Sequence, residues 1–128
     1  FATGCLMLIP AEIIKQIGLL EELYFLYCED TDYCCRVLAA GYAIYYCNDA
    51  VIYHKISQSV GAASKTQQYY MTRNALHLIR TYGTDWKKGF LSTMERDIKS
   101  ICKGRLKPSI AVRAYYDAWK ENMGKIEL

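Results

Sequence analysis

The sequence predicts an α/β fold, and three observations carry that expectation. The opening "FATGCLMLIP" is an almost continuous apolar run of the kind a buried strand shows. Two Tyr-, Ile- and Val-rich runs, "YAIYYCN" and "AVIYHKI", flank the turn residues Asn48 and Asp49, as strands of a hairpin do. Most of the remainder has the three- and four-residue apolar spacing of helices. The order is strand, helix, helix, two strands, then helices only. So few strands cannot close a sheet of their own, and the chain opens without an initiator methionine. The strands are therefore expected to complete a sheet begun upstream.

Each element has its own signal. Pro10 opens "PAEIIKQIG", where proline suits a first helical turn and Gly18 a stop, with Ile13, Ile14 and Ile17 as the apolar stripe. "LLEELYFLYC" is an aromatic connector. From Asp30 the residues Tyr33, Cys34, Val37 and Leu38 recur at helical steps until Gly41. "SQSVGAASKT" is a polar loop of small residues. Three long helices follow, "QQYYMTRNALHLIRTYG", "DWKKGFLSTMERDIKSICKG" and "PSIAVRAYYDAWKENMG", punctuated by Pro108 and glycines 83, 104 and 124. The division is 1–66 as one part and 67–128 as helices packing on it.

Composition narrows the class. At 52% apolar and 23% charged residues the chain is globular. No run approaches the ~20 apolar residues of a membrane span, and no basic-then-apolar leader opens the sequence. Net charge is +3, but residues 86–128 hold ten Lys/Arg against five Asp/Glu. That basic half suits an anionic lipid surface or an acidic ligand, and a solvated helical surface is the plainer account. Nucleic acid is not expected as a partner. The six cysteines (5, 28, 34, 35, 47, 102) lack paired C-x-x-C knuckles, so they read as reduced thiols of a cytoplasmic protein.

The most informative stretch is "LYCEDTDYCCRVLAAGYAIYYCNDAVIYHK", residues 26–55. It places Glu29, Asp30 and Asp32 at a helix start and His54 at the end of a predicted strand. Carboxylates at a helix start also cap free N–H groups, for ~0.5–1 kcal/mol. Asp32 and Arg36 are spaced for an ion pair worth ~0.3–0.5 kcal/mol. A helix start and a strand end can, however, converge on one crevice of an α/β sheet, where a carboxylate serves as general base and an imidazole as metal ligand. No Ser-His-Asp arrangement and no Gly-rich phosphate loop accompanies them.

These residues, in this order, resemble the C-terminal half of the catalytic domain of inverting family-two glycosyltransferases, most nearly the bacterial rhamnosyltransferase-like members. The family pattern runs from a glycine-led strand through "EDxDlcxR" and a Gly-Tyr turn to "yHxxxxS". Gly4, Gly18, Phe25, Glu29, Asp30, Asp32, Arg36, Gly41, Tyr42, His54 and Ser59 fall into it. "YYMTRNALHLI" resembles the family's "yy..RN...l" helix. The D-x-D motif of the family's nucleotide-binding half is missing, and "LLEEL" stands where the family has "FDE".

The resemblance implies the acceptor-side half of a GT-A nucleotide-diphospho-sugar transferase fold, followed by a helical tail. It implies transfer of a sugar, with inversion, from a nucleotide-sugar donor to a glycan or lipid-linked acceptor in bacterial cell-surface polysaccharide synthesis. Asp30 would be the catalytic base, with Glu29 and Gly4 at the acceptor. His54 would help hold a divalent cation, Mg²⁺ or Mn²⁺, on the leaving diphosphate, and Lys55, Ser57 and Ser59 would contact that diphosphate. Without the donor half, the chain alone is expected to be inactive. The location implied is cytoplasmic, with peripheral contact at the inner membrane face. An alternative of another class is a non-catalytic module binding a membrane or partner through its basic C-terminal helices, with Trp86, Phe90 and Trp119 as interfacial anchors.

Overall fold

A computed structural model describes residues 2–55 and 64–127, and every regular element among them is helical. The helices are α1 (Ala11–Ile17), α2 (Glu29–Ala39), α3 (Lys65–Tyr82), α4 (Trp86–Cys102) and α5 (Pro108–Lys120), with a 3-10 turn at Glu22–Tyr24. They start within a residue or two of where the sequence signals place them, α3 beginning at Lys65 inside the stretch expected as a loop. Ser64 caps α3 by accepting from the Gln67 amide at 3.1 Å, and Asp85 caps α4 by accepting from the Lys88 amide at 3.0 Å. Pro108 occupies the first turn of α5, where its missing N–H costs nothing.

The α/β expectation, and with it the GT-A half-fold, is overturned: the described residues contain no strand and no sheet. Residues 2–9 form a turn and irregular chain, and 42–55 run irregularly about the turn at 48–49. The reason is that a strand exists only through a partner. Alternating Tyr, Ile and Val suit a pleated, half-buried surface, but nothing described pairs with these segments. Their side chains accordingly face solvent, with Tyr45 at 88%, Tyr46 at 91% and Tyr53 at 98% exposure.

The core lies on α3. Tyr69 and Tyr70 pack edge to face, and Ala111, Ala114 and Ala118 form a smooth stripe on α5 that lets the two helices approach closely. This core is rich in tyrosine, and most of its hydroxyls find partners as burial requires. Tyr69 donates to Asp117 Oδ2 at 2.7 Å, while Tyr70 accepts from the Ile126 amide at 2.9 Å. Burial and the Asp117 hydrogen bond push the Tyr69 hydroxyl up to about 12, so it stays a donor at neutral pH. On the opposite side of the chain, α1 packs on α2. Arg36 joins them by donating to the carbonyls of Ile17 and Leu19 at 3.1 and 3.0 Å.

Candidate functional site

Between the Glu22–Tyr24 turn and α2 the chain makes an unusual passage. Phe25, Tyr27 and Cys28 all have positive φ, at 61°, 65° and 73°. Phe25, with ψ of −56°, forms the centre of a three-residue turn closed by the Leu26 amide on the Tyr24 carbonyl at 2.7 Å. Each non-glycine residue in such a region costs ~1–3 kcal/mol and persists only where its surroundings hold it. The chain then delivers Glu29 and Asp30 at the first turn of α2.

Two adjacent residues of α3 do the holding. Asn74, fully buried, donates through Nδ2 to the carbonyls of Tyr24, Leu26 and Tyr27 at 3.0, 2.7 and 2.8 Å. Arg73, also fully buried, donates to the carbonyls of Tyr24 at 3.3 Å, Asn122 at 3.3 Å and Gly124 at 2.9 Å, and to Asn74 Oδ1 at 2.9 Å. Its guanidinium lies over the rings of Tyr69 and Tyr70, 5.3 and 4.8 Å from their centroids. Carbonyl oxygens and aromatic faces thus replace water around the buried cation. Composition alone gave Arg73 and Asn74 no role beyond their place in the resemblance. The signal that finds them is phase: at 100° per residue, Arg73 lies between Tyr69 and Tyr70 on the helix, and Asn74 lies beside Tyr70. Polar residues interleaved with a buried aromatic stripe are themselves buried.

Asp30 is half-buried and accepts from three donors. Its Oδ2 takes the Gly4 amide at 2.9 Å, and its Oδ1 takes the Thr31 amide at 2.7 Å and the Thr31 hydroxyl at 3.2 Å. Gly4 and Asp30, 26 residues apart in sequence, are therefore brought together. Oδ2 keeps lone-pair capacity for one more donor, whereas Oδ1 is filled by its two. Beside it, Glu29 Oε2 is buried with no hydrogen-bond partner. A buried, unpartnered carboxylate oxygen is costly, and here it borders Asp30. Cys28 precedes both, and burial, then the charges of Asp30 and Glu29, push its thiol up to about 12. It is therefore no nucleophile at neutral pH.

His54 and Lys55 are exposed on the irregular segment after the turn at 48–49, and His54 makes no hydrogen bond or ion pair among the described residues. Ser57 and Ser59 lie outside the described residues. No group of three His, Cys, Asp or Glu side chains converges among the described residues. His54 therefore stands apart from other ligand side chains among the described residues, and no step is routed through the expected Mg²⁺ or Mn²⁺. Among the described residues no helix is long and apolar enough to cross a membrane.

Asp32 plays a larger part than its ion pair suggests. It does bind Arg36 Nε, at 2.8 Å, but it is only 5% exposed and also accepts from the hydroxyls of Tyr24 at 3.1 Å and Tyr82 at 2.7 Å. The expectation of a surface pair worth a fraction of a kcal/mol is thereby corrected. Burial is the first cause raising both tyrosines, and the Asp32 carboxylate adds to it. Asp32→Asn is expected to destabilise the fold by ~2–4 kcal/mol, since the amide leaves at least one buried donor unmatched. Unchanged urea midpoints for the two proteins would contradict this.

All six cysteines are free, with Cys5, Cys47 and Cys102 exposed and Cys34 buried. Thiol titration of denatured, unreduced protein should count all of them. In the native state Cys5, Cys47 and Cys102 should react first, and Cys28 and Cys34 should lag by at least about tenfold because the thiolate must form and be reached. Equal rates at every site would contradict the burial described. Comparison with known proteins finds no matching family model, curated protein or solved structure.

Proposed function

We propose that this chain supplies the acceptor side and the general base of an inverting sugar transfer. The donor would be a nucleotide sugar and the acceptor a glycan or lipid-linked hydroxyl compound of the cell surface. One observation carries the reading: a strained connector, locked by Arg73 and Asn74, ends at Asp30 beside the unpartnered buried oxygen of Glu29. Strain held in place by a dedicated buried pair is a mark of functional sites. A cap alone needs none, since ordinary caps form on relaxed backbone.

In this reading the acceptor hydroxyl donates to Asp30. As its oxygen forms a bond to the anomeric carbon, Asp30 takes the proton, and the bond from that carbon to the diphosphate oxygen breaks. The nucleoside diphosphate leaves from the opposite face, so the configuration inverts. The Gly4 amide holds Oδ2 and the Thr31 amide holds Oδ1, and the remaining lone pair of Oδ2 is left for the acceptor. Glu29, next to Asp30 in the first turn of α2, supports that base. Of the residues expected at the leaving diphosphate, Lys55 is described and exposed, and Ser57 and Ser59 lie outside the described residues.

The test is nucleoside diphosphate release by the full-length protein against a panel of nucleotide sugars and lipid-linked acceptors, with Mg²⁺, with Mn²⁺ and with chelator. Release that requires both donor and acceptor supports the reading. A complete panel without acceptor-dependent release sinks it.

A further inference from the structure

We infer that the outer face of α4 and α5 is a docking surface for an anionic lipid bilayer. This goes beyond sugar transfer and stands without it, because the observations lie on other helices.

The two helices are joined by a short link, and each packs on α3. Phe90 of α4 meets Tyr115 of α5 edge to face, with centroids 5.6 Å apart, and Tyr115 donates to Asp97 Oδ2 at 3.1 Å. These contacts fix which sides of the helices face each other. On α4, Gly89 lies against Ile79 of α3. Helical phase then turns Met94, Ile98 and Leu91 past the α5 seam and away from α3. On α5 the buried Ala111, Ala114 and Ala118 mark the α3 side. The same phase argument puts Val112, Tyr116 and Trp119 outward, next to the seam. These six apolar side chains are between 37% and 70% exposed. They form an outward apolar stripe on each helix, flanking the point where Phe90 and Tyr115 meet.

Charge decides what covers it. The carboxylates of the two helices are all engaged: Asp97 and Asp117 are buried, and Glu95 pairs with Lys99 at 2.6 Å. The cations are not. Lys87, Lys88, Lys103, Arg105, Lys107 and Lys120 make no ion pair among the described residues. Lys87 and Lys88 stand with Trp86 at one end of the stripe, joined there by Lys120 and Trp119. Lys103, Arg105 and Lys107 lie at the C-terminal end of α4 and in the link to α5, Lys103 and Arg105 on the α4 face that carries Ser92 and Arg96. The Lys87 and Lys120 amines lie over the Trp86 and Trp119 rings, 6.0 and 4.9 Å from the centroids.

Indoles paired with lysines around an apolar stripe match the headgroup boundary. The ring sits among acyl chains, the ammonium reaches the phosphates, and the lysine stem lies between. A second copy of the chain fits poorly, because it would bring two cationic faces together. No described helix crosses the bilayer, so the contact is peripheral.

The chain's two tryptophans, Trp86 and Trp119, report on this face directly. Phosphatidylcholine vesicles with and without phosphatidylglycerol are mixed with the purified chain, and sedimentation and tryptophan emission are read. The expected result is co-sedimentation and a shift to shorter wavelength with anionic vesicles only. Binding should weaken by at least about tenfold when NaCl rises from about 0.1 M to about 0.5 M. The Leu91→Ser/Ile98→Ser protein should bind at least about tenfold more weakly with an unchanged melting temperature, since both sites are exposed. Lys87→Glu/Lys88→Glu should lose the preference for anionic lipid. The inference is overturned by no vesicle binding, by binding indifferent to lipid charge, or by a lipid-free dimer whose tryptophans are already shielded.

Discussion

Asp30→Asn is expected to lower the turnover of acceptor-dependent sugar transfer by ~10²–10⁴-fold, the usual cost of losing a general base. Donor binding should change little, because no donor contact is assigned to Asp30. The asparagine keeps the shape of the side chain but cannot take a proton. Its structural cost is small and local. The carboxylate accepts the Gly4 amide on one oxygen and the Thr31 amide on the other. An amide group must turn its NH₂ toward one of these donors and forfeit that bond, for ~1 kcal/mol. As a helix-start residue asparagine serves about as well as aspartate. A melting temperature within a few degrees of wild type, with turnover lost, separates catalysis from capping. Turnover near the wild-type rate in a folded Asp30→Asn protein would remove the base assignment and the proposed function with it.

Local signals were legible in the sequence because their causes are local. Pro10, Asp85 and Pro108 mark helix starts through backbone sterics and orphan N–H groups, and helices begin there, whereas the Ser64 cap falls within the stretch expected as a loop. The Asp32–Arg36 pair follows from one turn of helix. The predicted strands failed for the complementary reason. Alternation in "YAIYYCN" specifies a surface that fits a sheet, whereas the sheet itself depends on a partner segment far away in the chain, which no local pattern encodes. Asp32 was underestimated in the same way. The hydroxyls of Tyr24 and Tyr82 reach it from 8 and 50 residues away, so its burial is a tertiary property.

The candidate site was half legible. Asp30, Glu29 and Gly4 were named from sequence, and Gly4 does meet Asp30. The strain at Phe25, Tyr27 and Cys28 had no signature, because none of these residue types favours positive φ. Strain of this kind is imposed by what surrounds a segment. Here the imposing groups are on α3, nearly 50 residues downstream.

Asn74 therefore gives the sharpest test of how the site is built. Asn74→Leu, close in volume, removes the Nδ2 donor from the carbonyls of Leu26 and Tyr27, one of the donors to the carbonyl of Tyr24, and the acceptor for Arg73 Nε. Each buried group left unsatisfied costs ~1–3 kcal/mol. Part of that returns as the connector relaxes from a strain of ~1–3 kcal/mol per residue. The remaining loss is ~3–5 kcal/mol, a large share of the ~5–15 kcal/mol that stabilises a typical domain. The loss takes one of two forms that hydrogen exchange separates. If α3 and the connector unfold together, the melting temperature falls by roughly 10–20 °C. If the connector opens alone, amides of residues 24–30 exchange quickly while those of α3 and α5 stay protected. In either case activity measured below the new melting point should fall further than the folded fraction does, because Glu29 and Asp30 are no longer held. Unchanged melting together with unchanged exchange over residues 24–30 would show that Asn74 does not hold the connector. The strain before Asp30 would then need another cause.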